Sequence, residues 1–336
     1  MANPIYRKRS QLIPLDVEVQ KAIGILNAIA AGKRINAVEA FDDNIVFLGI
    51  TAEQFAKEIT GRTVENAFRY GKYFYLALDE GGKMPVLHFG MTGMLQVKGE
   101  LATYYKKTPR SASTDWPPRF VKFILHLVDD ATGETAELAF LDARRLGRIR
   151  LCTSPLTESP IADLGFDPIL SMPSLEVFKP LVLKRSCPIK ALLLDQSFSA
   201  GVGNWVADEI LYHARVHPEQ RCNTLTAKQL AAVHFHTSEV CRIAVSVNAD
   251  DSKYPDHWLF NHRWGKGKKE KHKLKLPSGK PATIEWVTVG GRTSAYVVEL
   301  QLISGLTTKT RDKRKSGGAK VRMDEPSSLL HGLHLH

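Results

Sequence analysis

Cysteine is scarce in this chain and poorly placed for metal or disulfide chemistry. Cys152, Cys187, Cys222 and Cys241 stand far apart, with no C-x-x-C pair. That spacing offers neither a disulfide framework nor a thiolate zinc site of ordinary pattern, and it fits a reducing compartment. No apolar run approaches the roughly 18–20 residues of a membrane span and no signal peptide is visible, so no membrane partner is expected. Acidic residues are outnumbered, 35 Asp and Glu against 46 Lys and Arg, for a formal net charge of +11. An excess of this sign favours nucleic acid or another polyanion, although many merely soluble proteins are equally basic.

With 336 residues, 43% of them hydrophobic, the chain can bury more than one core. Met1 to Ser10 is polar and reads as part of a loose leader, 1–14. Val17, Ala22, Ile23, Leu26, Ile29 and Ala30 then mark an amphipathic helix ending at Gly32, and Thr51 with Gln54 forms a capping box for a second helix, 52–59. Strand patterns follow at 45–48, 73–78, 85–89, 120–128 and 137–141, separated by Gly- and Asp-containing turns. They predict an α+β chain whose first domain, 15–152, is an antiparallel β-sandwich flanked by helices. Residues 106–118 lack periodicity and read as a hairpin loop. After a Ser/Thr/Pro cluster at 153–160 the pattern turns helical: 174–184, a central pair, and 227–247 behind a second capping box, Thr226 with Gln229. The helical domain is expected over 160–250, a β-hairpin segment over 251–303, and a disordered basic tail over 304–336.

The central pair is the most informative stretch. Ile189, Leu192, Leu193 and Leu194 give a short apolar helix, and Val206, Ile210, Leu211 and Ala214 give a second. Between them Gly201 and Gly203 can take positive φ, and Asn204 can cap the second helix by accepting a backbone N–H. Such a turn presents N–H groups at the positive end of a helix dipole, a phosphate site, with Lys190 and Gln196 on its flanks. A plain core helix hairpin uses the same residues and is the more frequent case.

Four further tips share one design, a strand end beside glycine. They are Lys72 after Gly71; Met91 between Gly90 and Gly93; Arg144 and Leu146 before Gly147; and Arg292 after Gly290 and Gly291. Each has a plain alternative, a solvated cation or a core methionine. In their order along the chain, these motifs resemble the formamidopyrimidine-DNA glycosylase and endonuclease VIII family, over about residues 15–303.

The resemblance implies a helix–two-turn–helix fold and base-excision repair of duplex DNA that carries oxidised purines or abasic sites. Lys72 would belong to the active site. Met91 and Leu146 would fill the gap left by a flipped base, and Arg144 would face the orphaned partner. The family more often carries Phe where this chain has Leu146. Asn204, with Lys190 beside it, would hold a DNA phosphate, and Arg292 would be the minor-groove or phosphate contact. Bacterial members bind zinc in the finger through four cysteines; residues 251–303 contain none, so the finger resembles the zincless form of plant and fungal members. His262 and His272 are too few for such a site, and no metal or cofactor is expected.

The resemblance departs at the start. Family members begin Met-Pro-Glu-Leu-Pro-Glu-Val, and the proline amine, exposed by loss of the Met, attacks the sugar C1′ while the Glu serves as acid and base. Aligning Asp16, Val17 and Glu18 with the later part of that motif puts Leu12 and Ile13 at the catalytic positions, and Pro14 is internal. Two functions stay open: a glycosylase with abasic-site lyase activity, or a catalytically impaired paralogue that binds damaged DNA. The chain is expected to be a monomer. The cluster Lys309 to Lys315 suggests the nucleus, with the mitochondrion as a second address, or else a plain solubilising tail.

Overall fold

The computed structural model describes residues 17–102, 113–247, 250–264 and 274–303. The expected leader, the tail, and the parts of the loop and basic ribbon at 103–112 and 265–273 lie outside the described residues.

Helix α1 (Val17–Ile29) leads into strand β1 (Arg34–Ala40), and α2 (Ala52–Ile59) into β2 (Val64–Tyr70). Strands β3 (Tyr73–Leu78), β4 (Met84–His88), β5 (Gly93–Val97), β6 (Val121–Val128), β7 (Thr135–Asp142) and β8 (Arg148–Cys152) follow. The eight strands form two antiparallel sheets, ordered β1-β6-β7-β5 and β2-β3-β4-β8. Both contribute to one core. Leu95, Phe123, Leu125 and Phe140 from the first meet Phe74, Leu76, Leu87 and Ile149 from the second, closed by Leu26 of α1 and Phe55 of α2. Stacked and tilted rings run through it from Phe55 to Phe123, Phe140, Phe89 and Phe74. Truncating a buried Phe of this kind costs about 3–5 kcal/mol. The Thr51–Gln54 capping box forms as expected. The strand expected at 45–48 does not; that segment is a turn whose Phe47 makes a single bridge to Ile149. Its apolar run serves the sandwich edge, where Phe47 is buried while Ile45 and Leu48 stay exposed.

The second half is helical: α3 (Leu175–Leu183), α4 (Ile189–Leu194), α5 (Asn204–Ala214) and α6 (Ala227–Ser246), the last behind its Thr226–Gln229 capping box. Ile189, Leu192, Leu193, Val206, Ile210 and Leu211 all enter a second core. Strands β9 (Ile284–Val289) and β10 (Arg292–Val297) then pair as an antiparallel hairpin. The hairpin rests on its own small core of Leu274, Ile284, Ala295 and Val297 against Tyr212 and Leu259.

Candidate nucleic-acid interface

The glycine-flanked tips collect at one end of the sandwich because antiparallel pairing fixes which strand ends are neighbours. In the second sheet, Tyr73 pairs with His88 and His88 with Arg148. The β2–β3 turn with Lys72, the β4–β5 turn with Met91 and the β7–β8 turn with Leu146 therefore share that end. The last two touch: Gly90 takes φ +62, and a Cβ there would lie 2.4 Å from the Leu146 carbonyl oxygen. Only glycine fits, by conformation and by space.

Asp142, fully buried, ties these turns together. Its carboxylate accepts from the Thr92 hydroxyl at 2.6 Å, the Arg144 N–H at 3.2 Å and the Gly147 N–H at 2.6 Å. Sequence reasoning passed over this residue, although an Asp at a strand end before a glycine turn is a recognisable signal for such side-chain-to-backbone bonds. On this support Met91 is 63% exposed, Leu146 is half-buried and Arg144 is exposed. Arg145 points elsewhere: its guanidinium bonds Asp43 at 2.9–3.1 Å, and Lys122 reaches the same carboxylate at 2.8 Å. Burial alone would raise the Asp43 carboxyl, but the bonds from Arg145 and Lys122 outweigh it and hold it well below the usual range. Of the adjacent arginines, then, Arg145 is structural and Arg144 is available.

A second group forms where the β2–β3 turn meets the start of α5. Gly71 packs so closely that an added Cβ would meet the Ala200 Cβ at 3.0 Å, and one at Gly203 would lie 3.6 Å from the Lys72 Nζ. Lys72 thus stands over the positive end of α5. The helix is capped by Gly203, not by Asn204, which is its first residue; this corrects the expected capping role. Gly201 takes φ +92 as expected, whereas Gly203 stays extended at φ −100. The turn's N–H groups are also less free than expected, since Gly201 donates to Gln196 Oε1 at 2.9 Å. Gln196 in turn donates to the carbonyls of Leu194 and Val202, and so holds the turn from within.

Asn204 uses its amide nitrogen to donate to the Thr293 carbonyl at 3.0 Å, which brings the β9–β10 turn and exposed Arg292 beside the helix start. Its Oδ1 is buried with no partner among the described residues. Gly290 packs near Ala191, where an added Cβ would lie 3.4 Å from that side chain. Lys72, Asn204 and Arg292 therefore form one group, with Met91, Arg144 and Leu146 on the neighbouring edge.

Lys190 does not join them. Expected beside the phosphate, it is fully buried and its ammonium bonds Asp208 and, at 3.3 Å, the Thr293 carbonyl. Asp208 also accepts from Arg263 at 2.6 and 3.1 Å and from the Ala295 N–H at 3.2 Å. Burial pushes the Lys190 ammonium below its ordinary range, opposed by the Asp208 charge. The residue anchors the hairpin from beneath; buried and bonded to Asp208 and Thr293, its ammonium does not reach a solvated phosphate. Pro188 to Leu194 read as an ordinary apolar helix with one lysine, so nothing local announced that the lysine faces inward.

Among the described residues no group of three or more His, Cys, Asp or Glu side chains could hold a metal ion. No described helix is long and apolar enough to cross a membrane. Leu12, Ile13 and Pro14 lie outside the described residues.

Comparison with known proteins places the chain in a family. A family model for the formamidopyrimidine-DNA glycosylase N-terminal domain matches residues 15–149, and one for the H2TH domain of the same glycosylases matches residues 164–256. A formamidopyrimidine-DNA glycosylase of Arabidopsis thaliana is 39% identical over 305 residues, covering 91% of this chain and 73% of that protein. One of Desulforamulus reducens is 30% identical, covering 84% of this chain and 97% of its own length. Among solved structures, MutM in complex with DNA containing carbocyclic 8-oxo-G superposes with a TM-score of 0.68 at 22% identity, covering 86% of this chain and all of that one. The Lactococcus lactis glycosylase bound to abasic-site DNA gives 0.66 at 22% identity, covering 85% of this chain and 99% of that one. At that identity these two structures speak for the fold.

Proposed function

The chain belongs to the formamidopyrimidine-DNA glycosylase family, and from that premise and the geometry of its tips we propose that it is a DNA base-excision repair glycosylase. Its substrates are oxidised purines, 8-oxoguanine and formamidopyrimidines, in duplex DNA, which it reaches by flipping the base. The observation that carries this reading is the contact of the Gly90 and Leu146 turns, which gathers Met91, Arg144 and Leu146 from distant stretches onto one edge beside Lys72, Asn204 and Arg292.

The roles follow from position. A nucleotide leaving the stack leaves a gap costing a few kcal/mol, and apolar Met91 and Leu146 fill it. The exposed Arg144 guanidinium offers donors to the orphaned base. Asn204 and Arg292 hold a phosphate at the α5 terminus, where helix dipole and cations act together. Lys72, poised over that terminus, faces the sugar-phosphate of the displaced nucleotide. The β9–β10 hairpin serves as the zincless finger, with an apolar core of its own and a bond from Asn204 to Thr293 that ties it to the start of α5. Abasic-site lyase activity depends on an N-terminal proline amine, so with Leu12 and Ile13 at the aligned positions the proposal assigns it to a form that begins Pro-Glu and expects little of it from the chain as it stands. The nucleus is the proposed compartment, supported by the basic cluster Lys309 to Lys315.

The test uses matched duplexes, intact, abasic and 8-oxoguanine-containing, with two forms of the protein: the chain from Met1 and one restarted as Met-Pro-Glu-Leu-Pro fused at Asp16. Both should bind damaged duplex at least tenfold more tightly than intact duplex, and the restarted form should release the oxidised base. Equal binding of all three duplexes by both forms would remove the proposal.

A further inference from the structure

The strand order that gathers the proposed DNA-contacting tips places one more side chain in their row. At the end of the first sheet, Gly93 of β5 pairs with Asp142 of β7, and Phe120, just before β6, accepts the Asp142 N–H on its carbonyl at 3.0 Å. Phe120 therefore flanks the Arg144 turn on the side away from Met91, about one strand spacing, near 5 Å, from Asp142. It is 54% exposed and takes φ +62. A bulky residue in that conformation is disfavoured, and here the ring is not recovered by burial. Arg119 lies over the ring at 5.2 Å, so the site is aromatic and cationic at once. Exposed Arg144 stands on the adjoining turn.

An outward aromatic face with a guanidinium beside it suits a nucleic-acid base, because every base offers a π-face and every neighbouring phosphate a negative charge. Leu146, half-buried and aliphatic, fills space but offers no ring for stacking. We propose that Phe120 is a stacking residue of the duplex-opening edge, taking the face of a base next to the orphaned nucleotide on the strand that Arg144 contacts. This rests on the glycosylase reading above and adds to it a specificity-determining residue. The consequence is a preference for DNA whose stack is already interrupted, since only there is a base face free.

Fluorescence anisotropy on abasic-site and intact duplexes tests this, with four variants beside the wild type: Phe120→Ala, Phe120→Gly, Phe120→Trp and Met91→Ala. Phe120→Ala and Phe120→Gly should weaken abasic-duplex binding about tenfold while changing intact-duplex binding less than twofold. Phe120→Trp should keep the wild-type preference. Glycine accepts positive φ, so Phe120→Gly should melt no lower than wild type, which separates lost stacking from lost fold. Unchanged preference in Phe120→Ala and Phe120→Gly, while Met91→Ala loses it, would overturn this inference and leave the glycosylase reading standing. A wild type without preference for the abasic duplex would overturn both.

Discussion

Arg69 and Asp167, 98 residues apart, meet at 2.7 Å with both side chains almost wholly buried, and the same carboxylate accepts the Gly71 N–H at 3.0 Å. One Asp thereby fixes the β2–β3 turn that carries Lys72 against the loop leading into α3, where it also accepts from the N–H groups of Ile169 and Leu170. Removing one partner strands a charge in the interior. Asp167→Ala should therefore lower unfolding free energy by about 3–5 kcal/mol in urea titrations, far more than a surface ion pair such as Arg34–Asp130. A loss below 1 kcal/mol would show the pair to be dispensable.

The Gly90 contact makes a separate claim. A methyl there would stand 2.4 Å from the Leu146 carbonyl oxygen, in a conformation at φ +62 that L-residues disfavour by roughly 1–2 kcal/mol. Gly90→Ala should lower stability by about 2 kcal/mol or more and, by parting the two turns, reduce the preference for damaged over intact duplex. Differential scanning calorimetry and anisotropy titrations together check both halves. Gly99, also at positive φ but with open space around it, is the control in which only the conformational cost appears.

Much of this was legible in the residues. Capping boxes at Thr51 and Thr226 are local signals and formed where expected. The glycine-flanked tips could be read because tight turns impose local demands. Strands β1, β2, β5 and β8 were missed: in β1, Arg34 to Ala40 includes Asn36 and Glu39 on an exposed face, and its pairing with β6 is decided far away in sequence. Lys190 was misplaced for the same reason. Its burial depends on Asp208 and Thr293, and nothing within its own helix reports their approach.

Lys190 and Arg292 now separate cleanly. A residue that contacts phosphate contributes about one unit to the slope of log affinity against log salt; a buried anchor contributes nothing to it. Arg292→Ala should reduce that slope by about one and leave the melting temperature near wild type. Lys190→Met should keep the slope and lower stability, because Asp208 loses one of two cationic partners. The opposite pattern, measured by titration from low to moderate salt, would restore Lys190 to the phosphate site.

His236 gives a pH dependence with a definite sign. Burial, then the neighbouring His213 and Arg215, lower its pKa from 6.5 to about 4. The fold favours the neutral ring, so the unfolded chain takes up the proton first as pH falls. The stability it contributes is complete above pH 6.5 and is lost between 6.5 and about 4. The ring is partly exposed, so solvent screening discounts the effect to on the order of 1 kcal/mol. His217, lowered chiefly by burial, acts in the same direction. Melting temperatures at pH 7.5 and 5 should differ, and His236→Phe should narrow the gap; an unchanged gap would exclude His236 as its source.

The last prediction decides how far the chemistry extends. Cleavage at an abasic site by this family's route needs an unprotonated secondary amine that attacks the C1′ aldehyde and, with uptake of a proton and loss of water, forms an iminium ion. When Asp16, Val17 and Glu18 are aligned with the family start, Leu12 and Ile13 fall at the positions of the proline and glutamate, and the Pro14 nitrogen, acylated by Ile13, cannot form that bond. Lys72, on the β2–β3 turn over the α5 terminus, is a side-chain amine and not the terminal secondary amine that this route uses. The chain from Met1 should therefore bind abasic-site duplex yet give little covalent complex on borohydride reduction and little strand cleavage. The form restarted as Met-Pro-Glu-Leu-Pro at Asp16 should recover both, because it restores a terminal secondary amine at the position aligned with Leu12. In that form Lys72→Ala should leave the adduct on the terminal proline. Efficient trapping by the chain from Met1 would overturn the argument, and peptide mapping of the reduced adduct would name the amine that replaces proline.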